Sequence, residues 1–121
     1  MFSVEGTLIT LSRGDTGSVT INATGHTFTA ADRALFTVKN NRGNVVKQNA
    51  YPIENGAFTV YFSNDDTDDL AAGNYTWDVR YIINPMYDTD EQGNQVIVDG
   101  AQVITPMTPQ RLTLLDTVGQ I

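Results

Sequence analysis

The stretch from Asn74 to Ile83 alternates between apolar and polar positions with a period of two. Its apolar face consists of Tyr75, Trp77, Val79, Tyr81 and Ile83, with Thr76, Asp78 and Arg80 among the residues between them. A β-strand points successive side chains to opposite faces of its sheet, whereas an amphipathic helix would repeat about every 3.6 residues. The pattern therefore predicts a strand with one buried and one solvated face.

The same period recurs along the rest of the chain. Ala34–Lys39 and Ala57–Phe62 alternate in this way, and weaker strand patterns cover Thr7–Leu11, Ser18–Asn22, Asn44–Gln48, Gln95–Val98, Gln102–Thr105 and Arg111–Leu115. Turn-forming clusters separate these runs about every ten residues, which is the spacing typical of a β-sandwich. We therefore predict an all-β fold, an immunoglobulin-like antiparallel β-sandwich of about seven to nine strands.

The shared phase of the three strongest strands predicts the core. Their inward residues are Phe36, Val38, Phe58, Val60, Phe62, Tyr75, Trp77 and Val79. We expect these side chains to be buried and to contact one another, because an antiparallel sheet with one solvated face buries every second residue.

One short helical turn is expected near residues 65–72. Asn64 or Asp65 can cap its N-terminus, and Gly73 can end it in a left-handed conformation. Tyr75 then stands at the start of a strand, two residues before Trp77, which is the spacing of the tyrosine corner of immunoglobulin-like folds. Antibody domains have a disulfide-bonded cysteine at the position of Trp77. We expect the hydroxyl of Tyr75 to bond to the backbone of the preceding connection, because a buried phenol needs a partner.

The composition of the chain argues against several classes of function. The chain has 121 residues and a mass of 13.2 kDa, and we expect one domain over residues 1–121. Seven basic residues against fourteen acidic ones give a net charge of −7. This charge argues against binding to nucleic acid or to an anionic membrane surface. The absence of cysteine and the single histidine, His26, exclude thiol chemistry and multi-histidine metal sites.

The N-terminus and the hydropathy of the chain bear on its location. The first residues form neither the basic region nor the apolar region of a signal peptide. No apolar run approaches the ~18 residues that a membrane-spanning helix needs. We therefore expect a soluble protein that is made in a cytoplasm without a secretion signal.

An acidic segment offers a candidate calcium site. Asp88, Asp90, Gln92 and Asp99 occupy positions 1, 3, 5 and 12 of a loop with Gly93 at position 6, as in an EF-hand. Gln92 and Asp99 depart from the usual ligands, and the flanking residues predict strands rather than helices. An acidic hairpin tip over Asp88–Asn94 is therefore the favoured interpretation, with a weak calcium site as the alternative.

Other polar motifs have structural explanations. Arg13-Gly14-Asp15 spells an integrin-binding triplet, but these are common turn residues. The acidic run Asp65–Asp69 is best explained as the solvated N-terminus of the short helix. The sequence contains no G-x-S-x-G elbow, cysteine nucleophile or phosphate-binding glycine loop. We therefore predict a protein that is not an enzyme and has no cofactor.

Four segments carry a resemblance to a known family: Leu11–Thr16, Phe36–Lys39, Gly56–Val60 and Leu70–Val79. They follow the family pattern R-G-D-[ST], F-x-V-K, a hairpin and L-x-x-G-x-Y-x-[WYF]-D-[VI]. Over roughly residues 7–105 the chain resembles the small immunoglobulin-like domains of tailed-bacteriophage and prophage structural proteins. The resemblance is to the N-terminal domains of upper baseplate proteins in particular, and it transfers no binding residue.

The resemblance implies a non-enzymatic structural or interaction module of a virion, in the tail or baseplate. Its partners would be other protein chains, either further copies of itself or other phage structural proteins, and it would be made in the host cytoplasm. The alternative is a bacterial carbohydrate- or surface-binding β-sandwich with Tyr51, Tyr61 and Tyr87 as an aromatic platform for sugar.

The C-terminal segment 106–121 leaves two alternatives open. Pro106 and Pro109 interrupt strand pairing, so residues from Met107 onward could leave the sandwich as an arm whose leucines bury on a neighbouring chain. The same leucines could instead dock on the chain's own sheet as a last strand.

Overall fold

The structure is a computed structural model, and it describes residues 2–23 and 27–116. The elements in chain order are β1 (Phe2–Glu5), β2 (Leu8–Ser12), β3 (Gly17–Asn22), β4 (Arg33–Lys39), β5 (Val45–Pro52), β6 (Ala57–Phe62), α1 (Asn64–Thr67), β7 (Gly73–Thr89), β8 (Gln95–Ile104) and β9 (Gln110–Leu115). The prediction of an all-β sandwich is confirmed. His26 lies outside the described residues.

Two sheets form the sandwich. The larger has the strand order β1-β2-β9-β7-β4-β5, with β8 paired to the far half of β7, and the smaller consists of β3 and β6. All pairings between these strands are antiparallel except that of β2 with β9, which is parallel. The expectation of a purely antiparallel sandwich is therefore wrong at this pair. β2 and β9 lie near opposite ends of the chain, so no hairpin turn imposes an antiparallel direction on them.

The core prediction is confirmed for all eight side chains. Phe36, Val60 and Val79 are almost fully enclosed, and the other five are no more than 7% exposed. Phe36 is central, because its ring stacks on Trp77 at 5.5 Å between centroids and meets Phe62 edge-on at 6.0 Å. The two sheets are thus joined by aromatic contacts between β4, β7 and β6.

The helix is shorter than predicted, and its cap is different. It spans Asn64–Thr67, and Ser63 is the N-cap rather than Asn64 or Asp65. The carboxylate of Asp66 accepts a hydrogen bond from the backbone N–H of Ser63 at 2.8 Å, which satisfies a donor that the helix leaves unpaired. Gly73 does not end the helix, since it is the first residue of β7.

The C-terminal segment forms a last strand over Gln110–Leu115. This strand, β9, lies between β2 and β7, and it buries Leu112 and Leu114 in the core. Of the two alternatives for this segment, the described residues form the docked last strand, because the Thr105–Pro109 interruption lets the chain rejoin the sheet along the same side of β7. Residues 117–121 lie outside the described part of the chain.

Tyr75 forms the predicted corner. It is 7% exposed, and its hydroxyl donates to the carbonyl oxygen of Ala71 at 2.6 Å. Replacement by phenylalanine should lower the free energy of unfolding by about 0.5–1.5 kcal/mol, since it removes one buried hydrogen bond and preserves the ring. Urea denaturation measures the change. A midpoint equal to that of the wild type would show that this bond contributes nothing.

Candidate protein-interaction site

A two-stranded ribbon projects from the larger sheet. We use "the ribbon" for residues Ile83–Ile104, which comprise the far half of β7, β8 and the turn between them. The pairing of β7 with β9 ends at Trp77 and its pairing with β4 ends at Ile82, so Ile83–Thr89 pair with β8 alone among the described residues. Seven residues at about 3.3 Å each carry the ribbon roughly 23 Å beyond the sandwich.

A buried carboxylate fixes the base of the ribbon. Asp32 is 1% exposed; its Oδ1 accepts from the backbone N–H of Asn84 at 2.9 Å, and its Oδ2 accepts from that of Thr29 at 2.8 Å. Asn84 has a φ of +49°, a left-handed conformation that a non-glycine residue rarely adopts. The hydrogen bond that Asn84 donates to Asp32 thus holds the strand at the point where its backbone departs from regular geometry.

Close packing and burial also hold the base of the ribbon in place. A Cβ placed on Gly100 would come within 2.6 Å of the Cγ2 atom of Ile82, so a larger residue there would displace this buried side chain. Tyr81 lies opposite Ile104 and meets the ring of Phe28 edge-on at 4.9 Å. Burial raises the pKa of the Tyr81 phenol above its usual value. The phenol is therefore neutral at physiological pH and acts as a packing group.

The tip of the ribbon repeats a turn found elsewhere in the chain. In Asp90–Asn94 the Oδ1 of Asp90 accepts from the backbone N–H groups of Gln92 and Asn94, and Gly93 has a φ of +83°. In the turn Asn40–Asn44 the Oδ1 of Asn40 accepts from the backbone N–H groups of Arg42 and Asn44, and Gly43 has a φ of +81°. Both turns join antiparallel strands, so the shared pattern [ND]-x-x-G-N marks a hairpin.

The ribbon exposes apolar side chains along its length. These are Met86 (63% exposed), Val98 (59%), Val103 (55%), Val96 (39%) and Tyr87 (37%). Sequence reasoning missed this surface, because it divided β8 into two short strands and ended β7 at Ile83. The turn pattern at Asp90–Asn94 was the available signal, since a hairpin turn with extended residues on both sides predicts two strands of matched length.

The ribbon is also acidic. Residues 81–110 contain Asp88, Asp90, Glu91 and Asp99 and no lysine or arginine. Three of these acids lie at or beside the tip, and Asp99 lies opposite Met86 nearer the base. All the charged residues that lie among the exposed apolar residues of the ribbon are therefore acidic.

The calcium candidate lies within this ribbon, and the hairpin separates its residues. Asp88 is paired with Val96, and Asp99 lies on the opposite strand beyond it, next to the bulge at Met86/Tyr87. Asp90 caps the turn through the N–H of Gln92, while Asp88 and Asp99 accept from the N–H groups that follow them. The described residues hold no cluster of three acidic, histidine or cysteine side chains suited to a metal ion. Calcium binding stays a prediction.

The Arg13-Gly14-Asp15 turn is docked against α1. Gly14 donates its N–H to the Oγ1 of Thr67 at 2.8 Å, and its carbonyl oxygen accepts from the side chain of Asn64 at 2.8 Å. Arg13 forms an ion pair with Asp116 at 2.7 Å, and both Arg13 and Asp15 are half-buried. These contacts give the triplet a structural role in joining β2 to the helix.

The acidic run at Asp65–Asp69 has one member with a specific partner. Asp66 lies 3.1 Å from the Nζ atom of Lys47, whose side chain points inward from β5 and is 6% exposed. The same ammonium group donates to Asn49 at 2.7 Å and lies 5.1 Å from the centre of the Phe62 ring. Asp65, Asp68 and Asp69 are exposed. Only Asp65 and Asp66 lie in the first turn of α1, since Asp68 is its C-cap, so the prediction of a helix N-terminus is wrong for Asp68 and Asp69.

Two of the three candidate sugar-platform tyrosines share a surface depression. Tyr51 and Tyr61 line a depression of about 320 Å³, together with Thr20, Glu54, Asn55 and Thr59. Tyr87 lies on the ribbon, six residues beyond Tyr81, the β7 residue at the level of Tyr51. That spacing corresponds to roughly 20 Å along the strand. The three rings therefore do not form one platform.

The described residues contain no helix long and apolar enough to cross a membrane. No protein-family model matches the chain, and no curated protein is significantly similar to it.

Proposed function

We propose that this protein is a non-enzymatic structural module that works through contacts with other protein chains, as a component of a phage or prophage particle. The observation that carries the interaction role is the ribbon. It projects from the sandwich and exposes Met86, Val98 and Val103 by more than half. An isolated two-stranded hairpin is at best marginally stable in water, so a partner chain that covers these apolar side chains would stabilise the ribbon.

The assignment to a phage particle rests on the sequence resemblance, and the tyrosine corner agrees with the immunoglobulin-like part of that resemblance. Tyr75 is buried at the start of β7 and bonds to the carbonyl oxygen of Ala71, four residues upstream. This is the arrangement that recurs in immunoglobulin-like sandwiches. Such folds host many functions, so the proposed function depends on the ribbon rather than on the fold.

The test is incorporation of the chain into particles. Particles released from the encoding cell after prophage induction would be purified on a density gradient and searched for this chain by mass spectrometry. A matched variant would replace residues 87–98 by Asn-Gly, which joins the opposed residues Met86 and Asp99 through a two-residue turn. We expect the wild-type chain in the particles and loss of the shortened chain.

Two results would contradict the proposal. The first is a wild-type chain that stays in the soluble cell fraction while particles form without it. The second is a shortened chain that enters particles as efficiently as the wild type. Thermal denaturation of the shortened chain serves as the folding control, because the sandwich core lies outside the replaced residues.

Carbohydrate binding is a second candidate function, and the depression beside Tyr51 and Tyr61 favours it. Tyr61 is 63% exposed, and Glu54, Asn55 and Thr59 supply polar groups around it. An exposed aromatic face next to hydrogen-bonding groups suits a sugar ring. A glycan array with the wild type and Tyr61→Ala tests this function. Signals that persist equally in the variant would remove this depression from consideration.

A further inference from the structure

We propose that two copies of this chain pair antiparallel along the outer edge of β8, so that two ribbons form one four-stranded sheet. This inference rests on the proposed function, since it names the partner of the ribbon. Among residues 2–23 and 27–116, β8 pairs with β7 alone, and its other side presents an unpaired strand edge.

The other outer edges of the larger sheet carry features that discourage strand pairing. β1 has four residues, β5 carries the inward-pointing Lys47 and ends at Pro52, and the far half of β7, whose other side is also open, contains Pro85. Short edge strands, inward charges and prolines are the devices by which sheets avoid edge-to-edge association. β8 has ten residues without lysine, arginine or proline, and its one charged residue is Asp99. It is therefore the edge best suited to accept another strand.

A bulge limits the length of this edge. Tyr87 lies opposite Ile97 while Met86 lies opposite Asp99, so Val98 is an extra residue on β8. Bulges interrupt regular pairing, and the regular part of the edge is the six residues Asp99–Ile104. Val103 lies one residue before the end of this part and is 55% exposed, and the bulge residue Val98, directly before its start, is 59% exposed. In an antiparallel pair both would gain cross-strand neighbours.

Repulsion between acidic residues selects the antiparallel direction for a pair of copies. A two-fold axis through the middle of the edge sends the two acidic tips, with Asp88, Asp90 and Glu91, to opposite ends of the new sheet. A parallel pair would place these acids side by side, which is destabilising. Pairing centred on the residue after Gly100 puts Asp99 opposite Val103 of the copy, so the two Asp99 carboxylates are not directly opposed.

Pairing of two copies would also stabilise the ribbon, which is only marginally stable by itself. Two strands without a covered face are barely stable in water, and three or more strands are needed for independent stability. The two-fold symmetric arrangement is the commonest form of homo-oligomer, because one self-complementary patch serves both copies. The further copy thus turns two marginal ribbons into one four-stranded sheet.

Sedimentation velocity on the full chain tests the proposal. We expect a dimer at micromolar concentration, with tighter association at high salt because each copy carries a charge of −7 and salt screens the repulsion. Val103→Glu places a carboxylate on the edge near Asp99 of the copy and should weaken dimerisation at least about tenfold. Val45→Glu is the matched control on β5, since Val45 is 51% exposed and the change in charge is the same.

Three results would overturn the pairing: a monomer at high micromolar concentration, equal dimerisation of the two glutamate variants, or association that weakens as salt is added. Circular dichroism of both variants verifies that they are folded. A monomeric chain that still enters particles would refute the dimer and leave the proposed function standing. A chain that forms the dimer but is absent from particles would refute the proposed function and leave the dimer standing.

Discussion

Replacement of Trp77 by alanine should lower the free energy of unfolding by about 3–5 kcal/mol. The indole is 5% exposed, stacks on Phe36, and donates its Nε1–H to the carbonyl oxygen of Thr7 at 3.0 Å. The substitution leaves a cavity between the sheets and removes the hydrogen bond that ties the turn between β1 and β2 to the core. Typical domains have about 5–15 kcal/mol of stability in total, so the variant should be close to unfolding.

Urea denaturation followed by circular dichroism is the suitable measurement, because Trp77 is the single tryptophan and fluorescence would be lost with it. Trp77→Phe is the matched control, since it keeps an aromatic ring against Phe36 and loses the bond to Thr7. We expect its loss of stability to be smaller than that of the alanine variant. An alanine variant with the midpoint of the wild type would contradict the placement of Trp77 in the core.

Replacement of Asp32 by alanine should lower the free energy of unfolding by about 2–4 kcal/mol. Two backbone N–H groups lose their acceptor, and each such loss costs about 1–3 kcal/mol. The groups belong to Thr29 and Asn84, and the second lies at the base of the ribbon. The variant should therefore loosen the ribbon as well as the connection before β4. Thermal denaturation measures the first effect and amide hydrogen exchange at Asn84 measures the second.

Asp32→Asn is the matched control for this position. Asparagine keeps the size of the side chain and one acceptor oxygen, so it can preserve one of the two bonds and should lose about half as much stability. Equal exchange rates at Asn84 in the wild type and in the alanine variant would show that Asp32 does not fix the base of the ribbon.

Alternation along the chain was sufficient to predict the core. Phe36, Phe58 and Trp77 lie on inward faces because side-chain direction in a strand is a local property with a period of two. The corner at Tyr75 was predictable for a similar reason, since the partner of its hydroxyl, Ala71, is four residues away. The inward faces and this corner were thus predicted correctly, whereas the bounds and the N-cap of the short helix were not.

Pairing between distant strands was not predictable in this way. The parallel contact of β2 with β9 joins Ile9 to Leu112, and periodicity contains no information on which strands become neighbours. Pro106 and Pro109 indicated correctly that pairing is interrupted. The return of the chain to the sheet depends on the space that β2 and β7 leave for Leu112 and Leu114, which is a tertiary property.

By itself the sequence determined the fold class, the inward faces and the turns, since these follow from side-chain period and backbone preferences within a few residues. The tertiary structure alone decided that β7 continues past β4 and that β8 follows it outward as a ribbon. The left-handed residue Asn84 would end a strand on local grounds. Its backbone N–H, however, donates a hydrogen bond to Asp32, 52 residues earlier in the chain, and β8 supplies the pairing beyond it. The candidate interaction surface exists because these long-range contacts outweigh a local preference.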